Sequence, residues 1–492
     1  MLTTRSRSAL AAAWDGLKGE PGASAGGFGR RFAVVLTGEL TQSLFHFVLN
    51  IVLVRTLSLH DYGLFAIVFT SGAVGIAYIR ALVAVPATLF LSRSLGRPAE
   101  RGYDVVFGSG ALAVASAMAV AATAALAPAI GWGALAGGAF VGLYAFRSYL
   151  RIVLLARKAS RIARVSDLVY AVLGLCFALL ILRDNRAVLL THAFLALAIA
   201  HAVGIGVSFA ALREPVRVTF RRSLWRRYLA LWRTLLWSLT GVTSITVQGQ
   251  GLTLAFATLV GPAAYAPIAA TLVLFAPLRI PTNALTNMVL PEITGLLASG
   301  QGRAANRLVV RSTVLVALAC LAYGACMWVL LPVIEHELFR GRFNHEPMNW
   351  IGFGVWGIVT ISLLYAIPRA YLEACAAFRT IATGAIVAAA LGFVIMIPML
   401  LTLPPVLALA GLAASELATA LWSGHAFRSL SRSGDRPVLD AVSAMAEAAA
   451  PTGGAHRQGE TRDGRPSRSH LRWPLLRKGA ASAPHTLHSR LS

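Results

Sequence analysis

Three stretches of this sequence place polar and ionisable side chains at helical spacing inside otherwise apolar runs. Glu39, Gln42, His46 and Asn50 fall at i, i+3, i+7 and i+11 of one run. Thr243, Thr246, Gln250 and Thr253 fall at i, i+3, i+7 and i+10 of a second, and Arg279, Asn283 and Asn287 at i, i+4 and i+8 of a third. On a regular helix each set occupies one face. Arg80 stands in a fourth run. The chemistry such residues offer is recognition and ion exchange. A guanidinium fork takes two oxygens of a phosphate at once, so Arg80 and Arg279 together suit a diphosphate. Gln42, Asn50, Gln250, Asn283 and Asn287 offer amide hydrogen bonds to a polar substrate. A carboxylate in a low-dielectric site can cycle a proton, which makes Glu39, with His46 two turns on, the candidate for a driving proton or sodium ion. Each assignment has a plainer competitor. The stripes could simply hydrogen-bond helices in a closed bundle, Arg80 could snorkel to an interface, and Glu39 could hold helices together through an arginine.

What must carry these residues follows from composition. Over 492 positions the chain is 57% hydrophobic and only 13% charged, with a mean hydropathy of +0.69. A soluble protein carries roughly a quarter of its residues as charges, so a soluble enzyme is excluded. The 44 Lys and Arg against 20 Asp and Glu give +24. They gather in loops and tails, where they orient a membrane protein, and do not form a nucleic-acid surface. Segments 32–54, 63–91, 103–127, 130–154, 165–182, 187–212, 234–259, 263–291, 308–331, 350–372, 380–402 and 404–427 each approach the ~20 apolar residues that cross hydrocarbon. They predict an all-α polytopic fold of about twelve transmembrane helices. Short connections at Pro128–Gly131, Val260–Pro262 and Thr402–Pro404 make antiparallel neighbours, with the prolines ending helices. Pro267, Pro277 and Pro281 predict a kinked eighth helix, tolerable where a neighbour satisfies the freed carbonyls.

Lys and Arg counts set the orientation. Arg93, Arg97 and Arg101, the run from Arg147 to Arg164 and that from Arg213 to Arg233 share one side; Arg55, Arg183, Arg186, Arg340 and Arg342 share the other. Both termini are therefore expected inside. The expected organisation is a cytoplasmic tail 1–31, a six-helix lobe 32–212, a basic linker 213–233, a second six-helix lobe 234–427 and a disordered basic tail 428–492. The last either contacts an anionic leaflet through Leu471–Lys478 or is simply solvated. The halves look distantly alike. Arg55-Thr56-Leu57 precedes Tyr62-Gly63, Ala257-Thr258-Leu259 precedes Tyr265-Ala266, and Arg80 and Arg279 follow their tyrosines at distances differing by about one turn. Cys176, Cys320, Cys326 and Cys375 lie in apolar runs and give neither a disulfide framework nor a metal site. His192 and His201 read as bundle hydrogen bonders, Glu416 and the pair Arg369 and Glu373 as local structural pairs, and Arg147 and Arg151 as the inner end of the fourth helix. There is no phosphate-cradling loop, no nucleophile–base pair and no metal-ligand spacing, so neither an enzyme nor a cofactor is implied.

Asn50 to Ala66 resembles the junction of the first two helices in polysaccharide-repeat flippases, the Wzx-type members of the multidrug/oligosaccharidyl-lipid/polysaccharide exporter superfamily. Arg55, Leu57, Ser58, Asp61, Tyr62, Gly63, Phe65 and Ala66 carry the match. Weaker matches lie at Leu290-Pro291-Glu292-Ile293 and Ser166-Asp167-Leu168. The resemblance implies two six-helix lobes that alternate between inward- and outward-open states. It further implies an undecaprenyl-diphosphate-linked oligosaccharide as substrate in a bacterial inner membrane, a coupling cation, and membrane lipids and a polysaccharide polymerase as further partners. The alternatives are a cation-coupled multidrug exporter of the same superfamily and a membrane scaffold recruited through the basic tail.

Overall fold

In hydrocarbon a backbone polar group finds no water, so apolar runs of this length fold as helices that satisfy their own amides. The computed structural model describes residues 25–84, 87, 98–156, 159–181, 188–211, 232–298, 300–375 and 377–432. Residues 1–24, the linker from 212 to 231 and the tail from 433, all expected to be cytoplasmic, lie outside that description, as do the side chains of Glu39 and Asn287. The helices are α1 (Ala25–Thr56), α2 (Leu59–Ala84), α3 (Pro98–Ile130), α4 (Gly133–Ala156), α5 (Ser160–Ile181) and α6 (Leu189–Ala211). A second series follows. It comprises α7 (Trp232–Thr246, a π turn Val247–Gly251, then Leu252–Val260), α8a (Pro262–Leu274), α8b (Ala276–Ala298), α9 (Gly302–Leu338), α10a (Met348–Leu364), α10b (Ala366–Ala374), α11 (Phe378–Thr402) and α12 (Pro405–Arg432).

These helical segments coincide with the twelve apolar runs. Among the described residues nine are long and apolar enough to cross a membrane, or ten with the bent α8 taken as one span. The others are α1, whose apolar stretch is the shorter Leu40–Thr56, and α7, which the π turn divides. Cys176 and Cys326 are exposed, Cys320 and Cys375 buried, and all four are free.

Where the helices turn or break, the local chemistry explains it. Pro128 does not end α3, because a proline in the last turn forfeits only one ladder bond; the chain reverses at Gly131, whose φ is 54°. Gly261, at φ 88°, makes the corresponding turn into α8a. The kink expected in the eighth helix is a 45° bend at Phe275, just before Pro277, which cannot donate to the preceding turn. The Tyr323 hydroxyl of α9 donates to the Leu274 carbonyl at 2.6 Å. A second break falls at Tyr365 between α10a and α10b, ahead of Pro368.

Helices α1 and α3–α6 pack chiefly among themselves, as do α7 and α9–α12, and α2 against α8a is the broadest contact between the two halves. There Ser58 caps α2, accepting from the Asp61 amide at 3.0 Å. Tyr62 buries its ring and donates to Asn50 Oδ1 at 3.3 Å. Gly63 lies so close to α8a that a Cβ would stand 1.8 Å from the Pro262 carbonyl oxygen. On the same face two arginines finish each other's helices. Arg55 of α1 donates from Nε to the Leu338 carbonyl and from Nη2 to that of Glu337, both at 2.7 Å, at the end of α9. Arg342, after α9, donates to the Val54 carbonyl near the end of α1. Phe339 and Phe343 anchor that connection in the core, ring to ring at 5.4 Å.

Because the obstacle to a Cβ at Gly63 is backbone rather than a flexible side chain, Gly63→Ala is expected to force α2 and α8a apart at a cost of about 1–3 kcal/mol, as overpacked contacts do. Thermal unfolding of the purified variant followed by size-exclusion fluorescence should show the loss, and an unchanged midpoint would refute the close approach.

Candidate functional site

Two residues of the α1 stripe, His46 and Asn50, turn into their own half. His46 Nε2 lies 2.7 Å from the Tyr170 hydroxyl, and the ring is enclosed by Phe45, Phe69, Tyr144 and Tyr170. Asn50 is 5% exposed. It donates to the His46 carbonyl at 2.8 Å and accepts from Tyr62. Asn50 is thus occupied in holding α1 to α2, which corrects its assignment to a substrate surface. Gln42 is partly exposed.

The expected face on α7 is likewise rearranged. A π turn inserts about one extra residue into the helical register, so Thr243 and Thr246 before it do not continue onto Gln250 within it and Thr253 after it. Thr243 accepts from the Tyr78 hydroxyl of α2 at 3.2 Å. Thr246 is buried and Gln250 half-buried. Gln248, which the periodicity passed over, is buried and donates to Ser415 Oγ at 3.4 Å.

A polar centre that the sequence did not disclose occupies the core of the first half. Arg147 was expected at the inner surface, yet it is 4% exposed. Its Nη2 donates to Asp167 Oδ1 at 2.5 Å, while Arg151 Nε donates to Asp167 Oδ2 at 3.1 Å. The Arg147 guanidinium also lies 4.2 Å over the Tyr170 ring, and Ser166 donates to the Gly204 carbonyl at 2.8 Å. His201 is fully buried between Tyr144 and Tyr170, with ring centroids at 4.9 and 4.3 Å. Neither of its nitrogens makes a hydrogen bond, so it stacks, contrary to its expected role. The available signal was the i,i+4 spacing of Arg147 and Arg151 with one carboxylate, Asp167, in the next apolar run. Two cations clamped on one carboxylate make a rigid structural core.

The second half offers the open groups. Arg279 in α8b is exposed, and among the described residues nothing hydrogen-bonds or ion-pairs its side chain. Glu416, Tyr365 and Tyr265 lie within electrostatic range of it. Asn283, one turn on, is exposed as well. Glu416 stands within the apolar span of α12. Tyr365 and Gln248 are its hydrogen-bonding neighbours, and its Oε2 is buried with no partner. Arg369 and Glu373 form the expected i,i+4 pair at 3.2 Å. Arg80 is exposed where α2 passes into its π turn, and no hydrogen bond or ion pair joins it to Arg279.

These helices and open polar groups define a multi-pass, all-helical membrane fold with an internal polar centre in each half. Neither a family profile nor a curated protein matches the sequence. By structure the chain is similar to an inward-facing multidrug resistance MATE-family transporter of the MOP superfamily, with a TM-score of 0.62 and 13% identity over 82% of this chain and 99% of that one. It is also similar to the lipid II flippase MurJ in an inward closed conformation, at 0.61 and 9% identity over 80% and 87%. The eukaryotic MATE transporter AtDTX14 gives 0.55 and 15% identity over 83% and 98%. At these identities the likeness establishes the fold alone, one shared with these transporters and the flippase.

Removing one partner of a buried ion pair leaves the other charge uncompensated. Asp167→Ala is therefore expected to destabilise the first half by about 3–5 kcal/mol and to lower the yield of folded protein. The matching surface change, Glu346→Ala, should do neither. Equal yields and unfolding midpoints for the two variants would show that the pair is not structural.

Proposed function

We propose that the protein is a secondary transporter that flips undecaprenyl-diphosphate-linked oligosaccharide repeat units across a bacterial inner membrane for exopolysaccharide, capsule or O-antigen synthesis. The observation that carries this reading is Arg279. It is an open guanidinium with no partner among the described residues, just beyond a break in its helix and one turn from Asn283. A planar cation held in this way suits the two oxygens of a phosphate. Broken helices recur at the substrate sites of secondary transporters. Arg80 supplies a second open cation from the other half of the chain, and the amides of Asn283, Asn287, Gln250 and Gln42 are suited to sugar hydroxyls. The junction motif around Arg55 to Ala66 resembles Wzx-type flippases, and one structural neighbour is itself a lipid flippase. With both termini inside, the arginine clasp between α1 and α9 closes the outer face, and release of the sugar outside requires it to part.

A cation-coupled multidrug exporter is the second reading, favoured by the MATE proteins among the structural neighbours. A cationic drug would meet two open arginines, which argues against it.

A strain lacking the gene is expected to lose secreted polymer and to retain diphosphate-linked oligosaccharide on the inner leaflet. Complementation with Arg279→Ala should leave the protein inserted and folded but polymer output reduced by at least tenfold. Normal output from that variant would remove Arg279 from the site. Unchanged polymer in the deletion strain, together with new sensitivity to cationic dyes, would put the exporter first.

A further inference from the structure

We infer that the end of α9 expected at the cytoplasmic surface binds an anionic phospholipid, its phosphate held by Arg303, Arg307 and Arg311 and its acyl chains laid along the apolar face that continues from them. The three arginines fall at i, i+4 and i+8 of the helix, and all three are exposed. That spacing stacks them on one face, over about 12 Å of the helix axis. Ala305, Val309, Ser312, Val316 and Cys320 are buried, and at 3.6 residues per turn they form the opposite face. The arginines therefore point outward, away from the rest of the bundle.

Positive charge gathers there without an internal answer. No Asp or Glu occurs between 293 and 334. Glu292 of α8b is the nearest carboxylate in sequence. Among the described residues no ion pair or hydrogen bond joins it, or any other side chain, to the three guanidinium groups. Like charges at successive turns of a helix repel, so the stripe gains most from an anion that bridges neighbouring turns. A phosphate has the oxygens for this, since each guanidinium fork takes two at once.

The surface next to the arginines favours a lipid over a soluble phosphate. The run 312–331 carries no charged side chain and rises about 30 Å, the thickness of bilayer hydrocarbon. Val314, Leu318, Leu321 and Val329 are exposed along it, and their spacing continues the face of the arginines. Trp328 is exposed near the far end of the run, as is Trp350 at the start of α10a. Tryptophans gather at membrane–water interfaces, so the arginines mark the opposite interface. One outward face thus passes from cations to aliphatic side chains in the order in which a phospholipid passes from head to tails. Basic clusters at a membrane surface select the anionic headgroups. Arg279 takes no part in this site, which is independent of the molecule carried.

The test is photolabelling of the full-length chain in phosphatidylcholine vesicles that contain a trace of phospholipid with a diazirine in its acyl chain. Mass spectrometry then maps the labelled peptides. Two probes differ only in headgroup, phosphatidylglycerol or phosphatidylcholine. Val314, Leu318 and Leu321 are expected to take about tenfold more label from phosphatidylglycerol, and R303Q/R307Q/R311Q should bring the two probes level. Exposed Val387 and Val394 of α11 should be labelled alike by both probes in both proteins. Equal labelling of α9 by the two probes, an equal preference on α11, or a preference on α9 that survives the triple substitution would overturn the site. Loss of the preference to millimolar glycerol 1-phosphate at constant ionic strength would identify a site for free phosphate and overturn the lipid assignment. Should the triple variant not insert, competition in the intact protein decides. Excess unlabelled phosphatidylglycerol should abolish the α9 preference, and its failure to do so overturns the site.

Discussion

Inside a bilayer every backbone amide and carbonyl must find its partner within the protein, and three places where helices of this fold bend or end show how that demand is met. At the bend in α8 the Leu274 carbonyl is taken by Tyr323 of the next helix. At the end of α9 the carbonyls of Glu337 and Leu338 are taken by Arg55, and near the end of α1 that of Val54 is taken by Arg342. Helix C-termini present unpaired carbonyls and the negative end of the macrodipole, so a guanidinium is the natural cap. Here each cap comes from the other half of the chain. The two halves are thus joined on this face by bonds that neither could make alone.

Location decides what such a bond is worth. A carbonyl at a helix end near the aqueous edge can exchange its arginine for water at a net cost of about 0.5–3 kcal/mol per bond, so the clasp resists separation without forbidding it. Arg147 and Asp167 in the core have no such exchange available, and parting them would strand both charges. Arg279 belongs to neither class, being accessible and without a partner among the described residues. The same side chain therefore acts as latch, rivet and open hook according to the dielectric around it and the partner within reach.

Legibility in the sequence followed the same division. The spans were visible because burial in lipid needs only continuous apolarity, and the bend in α8 because proline lacks an amide hydrogen. The junction from Arg55 to Phe65 was visible as a motif, and its residues now have separate physical tasks. Arg55 caps α9, Ser58 and Asp61 begin α2, Tyr62 binds Asn50, and Gly63 admits the Pro262 backbone. The polar stripes were less legible, since a 3.6-residue period identifies a face without saying what that face meets. His46 and Asn50 do share a side of α1, but it meets α2 and α5. On α7 the period itself failed, because the π turn at Val247–Gly251 leaves no mark in composition. The Arg147–Asp167 pair was hidden because residues twenty apart in sequence read as separate loop charges until α4 and α5 are brought side by side.

The surroundings of Glu416 show why irregular backbone matters more here than side-chain spacing. Within α12 it has no polar companion at i±4, so a helix-by-helix reading takes it as a local structural partner without saying whose. Its neighbours are supplied instead by interruptions in other helices, the π turn around Gln248 and the break at Tyr365. A regular helix presents its residues at fixed angles and buries its carbonyls in its own ladder. An interrupted one can aim a side chain that the period would have turned elsewhere, and holds that aim only while neighbouring groups satisfy the freed backbone. Two such interruptions, together with the bend that precedes Arg279, surround one carboxylate in the membrane interior. A shift in any one of these three helices would change the hydrogen bonding or the field at Glu416, and a change of charge at Glu416 would bear on all three helices in return.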